Sequence, residues 1–254
     1  MEQNGSPRLV DARGHKAWLA HHLPGSVGLN SGGFSGAPGA EEIGLRLGKA
    51  GISQDDHLWL YDDGSGAGVG ALLWLLDRVA HPRVSVLDGG ITAWHGEGHP
   101  LESGAGAALA PVSYDANTED PPRENLATKG WILDNMDRED LTLVDTRSES
   151  EYRGSRFGLK KTGHIPGALW LEWSDTLVET GSGGPRFATA AEMAPKLDAL
   201  GITQDSEIVC YCQVGARSAQ VYGVLRMLGF PRVRNYPGAW AEWGSDRNTP
   251  AEQG

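Results

Sequence analysis

Cysteine is almost absent from this 254-residue chain. There are two, Cys210 and Cys212, separated by a single residue. Two thiols so placed cannot build a disulfide framework, and two ligands alone cannot close a zinc site. No apolar run approaches the roughly 18 residues that a membrane-spanning helix needs. The opening "MEQNGSPRLV" carries neither the basic n-region nor the apolar stretch of a secretory leader. Positive charge is short as well: 22 Lys and Arg stand against 33 Asp and Glu, a formal net charge of −11. That balance argues against nucleic acid or an anionic membrane as a partner. Together these absences predict a cytoplasmic protein with reduced thiols and a solubilising acidic surface, in which any anionic ligand needs a local positive site. What is present is ordinary for a globular protein, with 39% hydrophobic and 22% charged residues.

The chain also repeats itself. "GISQDDHLWLYD" (Gly51 to Asp62) aligns with "GITQDSEIVCYC" (Gly201 to Cys212) at a constant offset of 150. Upstream, "LVDAR" and "HLPGSV" (Leu9 to Arg13, His22 to Val27) echo "LVDTR" and "HIPGAL" (Leu143 to Arg147, His164 to Leu169). Downstream, "VSVLDGGITAW" from Val84 echoes "VRNYPGAWAEW" from Val233. Three matches in one order imply duplication. Between the copies, "ESGAGAALAPVSYDANTEDPPRE" (Glu102 to Glu124) has linker composition. The predicted organisation is a first domain over 1–105, a linker over 106–124 and a second domain over 125–254.

Each copy alternates short apolar runs with helical patterns. "LWLY" and "VSVL" flank a helix with Ala71, Leu72, Leu75, Leu76 and Val79 on one face. In the second copy "LTLVD", "EIVCYC" and "VRNY" read as strands. "TAAEMAPKLDALG" reads as a helix opened by the Thr189-x-x-Glu192 capping box. The helix after the cysteines carries Val221, Tyr222, Leu225 and Leu228 on one stripe. Strands joined through helices predict an α/β fold, each copy a central, mostly parallel sheet flanked by helices. Ligands of such sheets sit beyond the carboxyl ends of the strands, where Cys212 falls.

In "CQVGAR" (Cys212 to Arg217) a strand ends, a tight loop turns, and a helix is expected to begin near Ser218. The unpaired N–H groups and positive dipole end of that helix favour an anion in the loop. A cysteine in that field is expected to be a thiolate near neutral pH, and Gly215 lets the backbone curl around the sulfur. Cys210, inside the apolar strand, reads as a packed hydrophobe.

These elements in this order are similar to the tandem-domain rhodaneses, the thiosulfate/3-mercaptopyruvate sulfurtransferase family: D-x-R, then "GHIPGA" (Gly163 to Ala168), the Cys loop, and the closing "NYPGAWAEWGSDRNTP" (Asn235 to Pro250). The resemblance implies two rhodanese-like domains. The first would be catalytically inactive, with Asp62 at the cysteine position. The second would carry Cys212 as the nucleophile, its backbone from Gln213 through Val214, Gly215, Ala216 and Arg217 to Ser218 cradling the anionic sulfur, and Arg147 holding the substrate's anionic end. Arg147 also has a structural reading, an ion pair with Asp145 or Glu151, because Arg13 recurs in the inactive copy. His22 and His164 read as turn-stabilising. The implied reaction moves sulfane sulfur from a small anionic donor, thiosulfate, to a thiol or cyanide through a Cys212 persulfide, with no metal or organic cofactor. 3-Mercaptopyruvate is the alternative donor, since "CQVGAR" matches neither donor class fully. A cysteine phosphatase is disfavoured because its loop, Cys-x5-Arg, is one residue longer and is usually preceded by His rather than Tyr211. A non-catalytic binding module would not need Gly215 and a helix start directly after the cysteine.

Overall fold

The computed structural model describes residues 7–29, 37–106, 109–116, 124–155 and 161–253. They divide into two compact units. One contains residues 7–29, 38–106, 109–116 and 179–186, the other residue 37 with 124–155, 161–178 and 187–253.

The first unit runs β1 (Arg8–Asp11), α1 (His15–Ala20), β2 (Val27–Gly28), α2 (Ala40–Lys49), β3 (Leu58–Tyr61), α3 (Ala67–Arg78), β4 (Val84–Val86) and α4 (Gly90–Gly96). Its sheet has the order β2-β1-β3-β4, every pair parallel. Further along the chain come α5 (Lys129–Asn135), β5 (Leu141–Asp145), α6 (Glu149–Tyr152), β6 (Leu169–Trp170), β7 (Leu177–Glu179), β8 (Pro185–Phe187), α7 (Ala190–Ala199), β9 (Glu207–Tyr211), α8 (Ala216–Met227), β10 (Val233–Asn235) and α9 (Ala239–Trp243). The second unit's sheet has the order β6-β5-β9-β10, again all parallel, while β7 and β8 pair separately. The two four-stranded sheets thus share one topology, as the repeated sequence requires.

Local chemistry accounts for the elements that frame the cysteine. All five residues of β9 are buried, as expected for a strand covered on both faces. The Thr189 capping box forms: Glu192 N–H donates to Thr189 Oγ1 at 3.4 Å and Thr189 N–H donates to Glu192 Oε2 at 2.8 Å. α8 starts at Ala216, two residues earlier than the expected Ser218, because Gly215 takes a left-handed φ of 90° and closes the loop there. The run from Ser218 to Leu225 is buried on every side, so the apolar stripe is part of an enclosed helix.

The repeated His-x-Pro-Gly turns are structural in both copies. His22 and His164 donate from Nδ1 to the carbonyls of Trp18 (2.7 Å) and Tyr152 (2.9 Å). Their backbones pair in short antiparallel bridges with Glu102 and Glu252. Each turn is also fastened to its sheet: Leu23 and Ile165 N–H donate to the hydroxyls of Tyr61 and Tyr211, at 3.1 and 3.0 Å. Residues 109–116 of the expected linker are packed rather than loose. Val112 N–H donates to Gly48 O at 3.0 Å, and Tyr114 Oη lies 2.8 Å from His81 Nδ1. This strap needs a glycine at 48, since a side chain there would strike Val112 O. Residues 107–108 and 117–123 of that segment lie outside the described residues. Among the described residues, no helix is long and apolar enough to cross a membrane.

Candidate active site

Pairing of β5 with β9 sets Asp145 opposite Tyr211, and Thr146 N–H donates to Tyr211 O at 2.9 Å. The D-x-R loop and the Cys212 loop therefore leave the sheet side by side at its carboxyl end.

Cys212 is buried, and its Sγ accepts the Gly215 N–H at 3.1 Å. Ser218 Oγ lies 3.6 Å from the sulfur. The one hydroxyl proton of Ser218 is drawn more strongly to Asn235 Oδ1 at 2.7 Å. Ser218 thus ties the start of α8 to β10 first and faces the sulfur second. The outer side of the loop is clamped to α9: Cys212 O and Gln213 O accept from Trp240 and Ala241 N–H at 2.9 and 3.0 Å. Gln213 and Ala216 are half-buried, whereas Val214 is 57% exposed. Val214 stands at the edge of a cavity of about 570 Å³ that Tyr236, Pro237, Ala241 and Glu242 also line. Of the six residues expected around the sulfur, Gly215 reaches Sγ with its N–H and Ser218 with its hydroxyl. Cys210 is fully buried in β9, and burial, with Cys212 beside it, pushes its thiol well above the ordinary range.

Arg217, in the first turn of α8, makes a bidentate pair with Glu151, with Nη1 to Oε2 at 2.8 Å and Nη2 to Oε1 at 3.1 Å. Burial works against its charge, but Glu151 and the neighbouring Cys212 together raise its pKa. Glu151 also accepts from Ser148, from N–H at 3.1 Å and Oγ at 2.9 Å, in the capping box that opens α6. Burial would raise the Glu151 pKa, yet the Arg217 and Ser148 hydrogen bonds outweigh it and hold the carboxyl at about 2. The sequence reading set Glu151 beside Arg147 as a possible partner; its partner across the loop is Arg217.

Arg147 stands elsewhere. It is fully buried, its Nε donates to Asp145 Oδ1 at 3.0 Å and its Nη2 to Asp145 Oδ2 at 2.6 Å and Gly163 O at 2.7 Å. Its guanidinium lies over the Trp240 ring at 4.4 Å. Arg13 repeats the arrangement, donating from Nη2 to Asp11 Oδ2 and His21 O, both at 2.6 Å. These bonds match the structural reading of Arg147, an ion pair with Asp145 that recurs as Arg13 with Asp11 in the copy without the cysteine. Through Gly163 O and Asp145 it fastens the His-x-Pro-Gly turn to the sheet.

In the first unit Asp62 occupies the place of the cysteine, and its own carboxylate fills the loop. Oδ1 accepts Gly64 and Gly66 N–H at 2.9 and 3.3 Å, and Oδ2 accepts Val69 N–H at 3.2 Å. Burial raises the Asp62 pKa against those three bonds. The left-handed glycine before the helix, Gly66, is four residues after Asp62, whereas Gly215 is three after Cys212. The loop of the first unit is one residue longer.

Comparison with known proteins agrees with this architecture. The family model described as "Rhodanese-like domain" matches residues 1–97 and again 128–246. The chain is 36% identical over 253 residues to the thiosulfate sulfurtransferase of Azotobacter vinelandii, covering 96% of this chain and 90% of that one. It is 32% identical over 260 residues to the Pseudomonas aeruginosa protein of the same name (98% and 92% covered). It is also 32% identical over 244 residues to a probable 3-mercaptopyruvate sulfurtransferase of that organism (94% and 83%). Among solved structures, the crystal structure of YnjE matches with a TM-score of 0.82 at 23% identity, covering 99% of this chain and 63% of that one. The anaerobic ergothioneine biosynthesis enzyme from Chlorobium limicola matches at 0.80 and 22%, covering 100% and 66%. This chain thus spans less than two thirds of YnjE and 66% of the Chlorobium enzyme, and at these identities the two show the fold alone. With the family model matched twice and the curated relatives aligned from end to end, the chain belongs to the rhodanese family, and it is a tandem-domain sulfurtransferase.

Proposed function

We propose that Cys212 is the nucleophile and that thiosulfate is the donor. The Cys212 thiolate attacks the outer sulfur of thiosulfate, a new S–S bond forms, the old one breaks, and sulfite leaves with the electron pair. The Cys212 persulfide anion remains in the loop, where the Gly215 N–H and the dipole of α8 favour negative charge. A cellular thiol, or cyanide in an assay, takes the outer sulfur and returns the thiolate. This reading places the reaction in the cytoplasm and needs no metal or organic cofactor. The observation that carries it is a buried sulfur at a strand end accepting the N–H of the left-handed glycine that opens a helix. Support for the donor comes from Arg217 in the first turn and from relatives named for thiosulfate. The P. aeruginosa relative named for 3-mercaptopyruvate keeps that donor as the second reading. Initial rates with each donor, and intact mass after thiosulfate treatment, test both. One added sulfur, released by cyanide and absent in Cys212→Ser, is expected. Turnover in Cys212→Ser, or sulfur found on Cys210, would overturn the assignment.

A further inference from the structure

The two copies of the fold act as an internal control. The Asp-x-Arg pair is present in both, as Asp11 with Arg13 and Asp145 with Arg147, bonded in the same way. The Glu151–Arg217 pair is present in one. α1 and α6 each begin two residues after the Arg of D-x-R, at His15 and Glu149, so Glu151 corresponds to Ala17. α3 and α8 each begin directly after the left-handed glycine, so Arg217, the second helical residue, corresponds to Gly68. Both members of the pair are therefore replaced by small residues in the copy that has Asp62 in place of the cysteine. At position 68 a side chain would strike Ala12 O, so that copy has no room for a cation there. A pair that merely stabilised the fold would have no reason to follow the cysteine.

We propose that Glu151 is a positioning residue for sulfur transfer, acting through Arg217 by holding its guanidinium beside the Cys212 loop; this rests on the reading of Cys212 as the nucleophile. The geometry suits the role. The Glu151 side chain is 3% exposed and fixed from behind by Ser148, whereas Arg217 is 26% exposed and reaches toward solvent. A bidentate pair fixes both the place and the plane of the guanidinium. Without the carboxylate, a long side chain at the rim of the loop has rotamers that lead into water. The anionic end of a donor would then lose its cation, while the backbone cradle and the thiol stay in place. Glu151 touches no substrate in this scheme, and its effect on sulfur transfer passes through Arg217.

A double-mutant cycle tests this on the full chain. Glu151→Gln keeps the size and the Ser148 contacts and removes the charge. It is expected to lower kcat/KM for thiosulfate about tenfold, chiefly through KM, as for the loss of one charge-assisted contact. In an Arg217→Ala background the same change is expected to add less than about twofold, because residues in one network do not act independently. A second readout does not depend on which donor is used: the ratio of Cys212 alkylation rates by iodoacetate, an anion, and by neutral iodoacetamide. That ratio should fall in Glu151→Gln and in Arg217→Ala, and no further in the double variant. Should Glu151→Gln not fold, Glu151→Asp, which withdraws the charge by one methylene, enters the same cycle. Additive losses in the double variant, or a lower Tm with both readouts unchanged, would overturn the inference while leaving Cys212 as nucleophile. If wild type forms no Cys212 persulfide, the reading of the reaction fails, and the alkylation ratios still decide the pair.

Discussion

Replacing Arg147 with Met separates a frame residue from a substrate-binding one. The substitution keeps much of the aliphatic volume over Trp240 and removes the guanidinium that bonds Asp145 and Gly163 O. Asp145 is itself fully buried, so the variant leaves a carboxylate without its cation in a site closed to water. Breaking a buried pair from one side costs about 3–5 kcal/mol, most of it the stranded charge. At about 2–4 °C per kcal/mol for a chain of this size, the Tm of the second domain should fall by roughly 6–20 °C. Below that transition, kcat/KM for thiosulfate should stay within about threefold of wild type if the Arg147 donors serve only Asp145 and Gly163 O. Arg13→Met should destabilise the first domain in the same sense with no catalytic effect at all. Differential scanning calorimetry and steady-state kinetics on both variants make the comparison. An Arg147→Met enzyme with an unchanged Tm and kcat/KM lowered about a hundredfold would refute the structural assignment and restore Arg147 to the substrate site.

Asp62→Cys should not create a second active site, because the Asp62 loop is a residue longer and offers Gly68 where the Cys212 loop has Arg217. Mass spectrometry after thiosulfate should find sulfur on Cys212 alone, and comparable persulfide at position 62 would contradict this. Arg217→Ala should weaken thiosulfate use more than 3-mercaptopyruvate use, by about ten- to a hundredfold for the dianion; equal small losses for the two donors would show that its charge is spent on Glu151. Glu151 also predicts a pH dependence. Its folded pKa, about 2, lies below its ordinary 4.5, so its contribution to stability is complete above about pH 4.5 and is lost as pH falls toward 2. The stability gap between wild type and Glu151→Gln should therefore narrow over that window, and a gap that is flat from pH 6 to pH 2 would show that the pair is not formed.

Much of this protein is legible along the chain, because the signals involved are local or periodic. The capping box at Thr189, the apolar run of β9, the glycine after the cysteine and the offset of 150 between copies each depend on residues a few positions apart, or on the same pattern read twice. Those signals suffice for an α/β fold in duplicate and for the place of Cys212 at a strand end. They do not say which way a side chain turns. Arg147 and Arg217 are both arginines next to the right elements, yet one is sealed over Trp240 and the other stands at the rim, and the sequence reading gave both to the substrate. Glu151 and Arg217 are 66 residues apart and Ser218 and Asn235 are 17 apart, so neither contact has a periodicity to announce it. Each exists because parallel pairing sets the loops after β5 and β9 side by side and brings β10 against the start of α8. That juxtaposition, together with the burial that selects one arginine for the frame and one for the loop, was decided only by the tertiary structure.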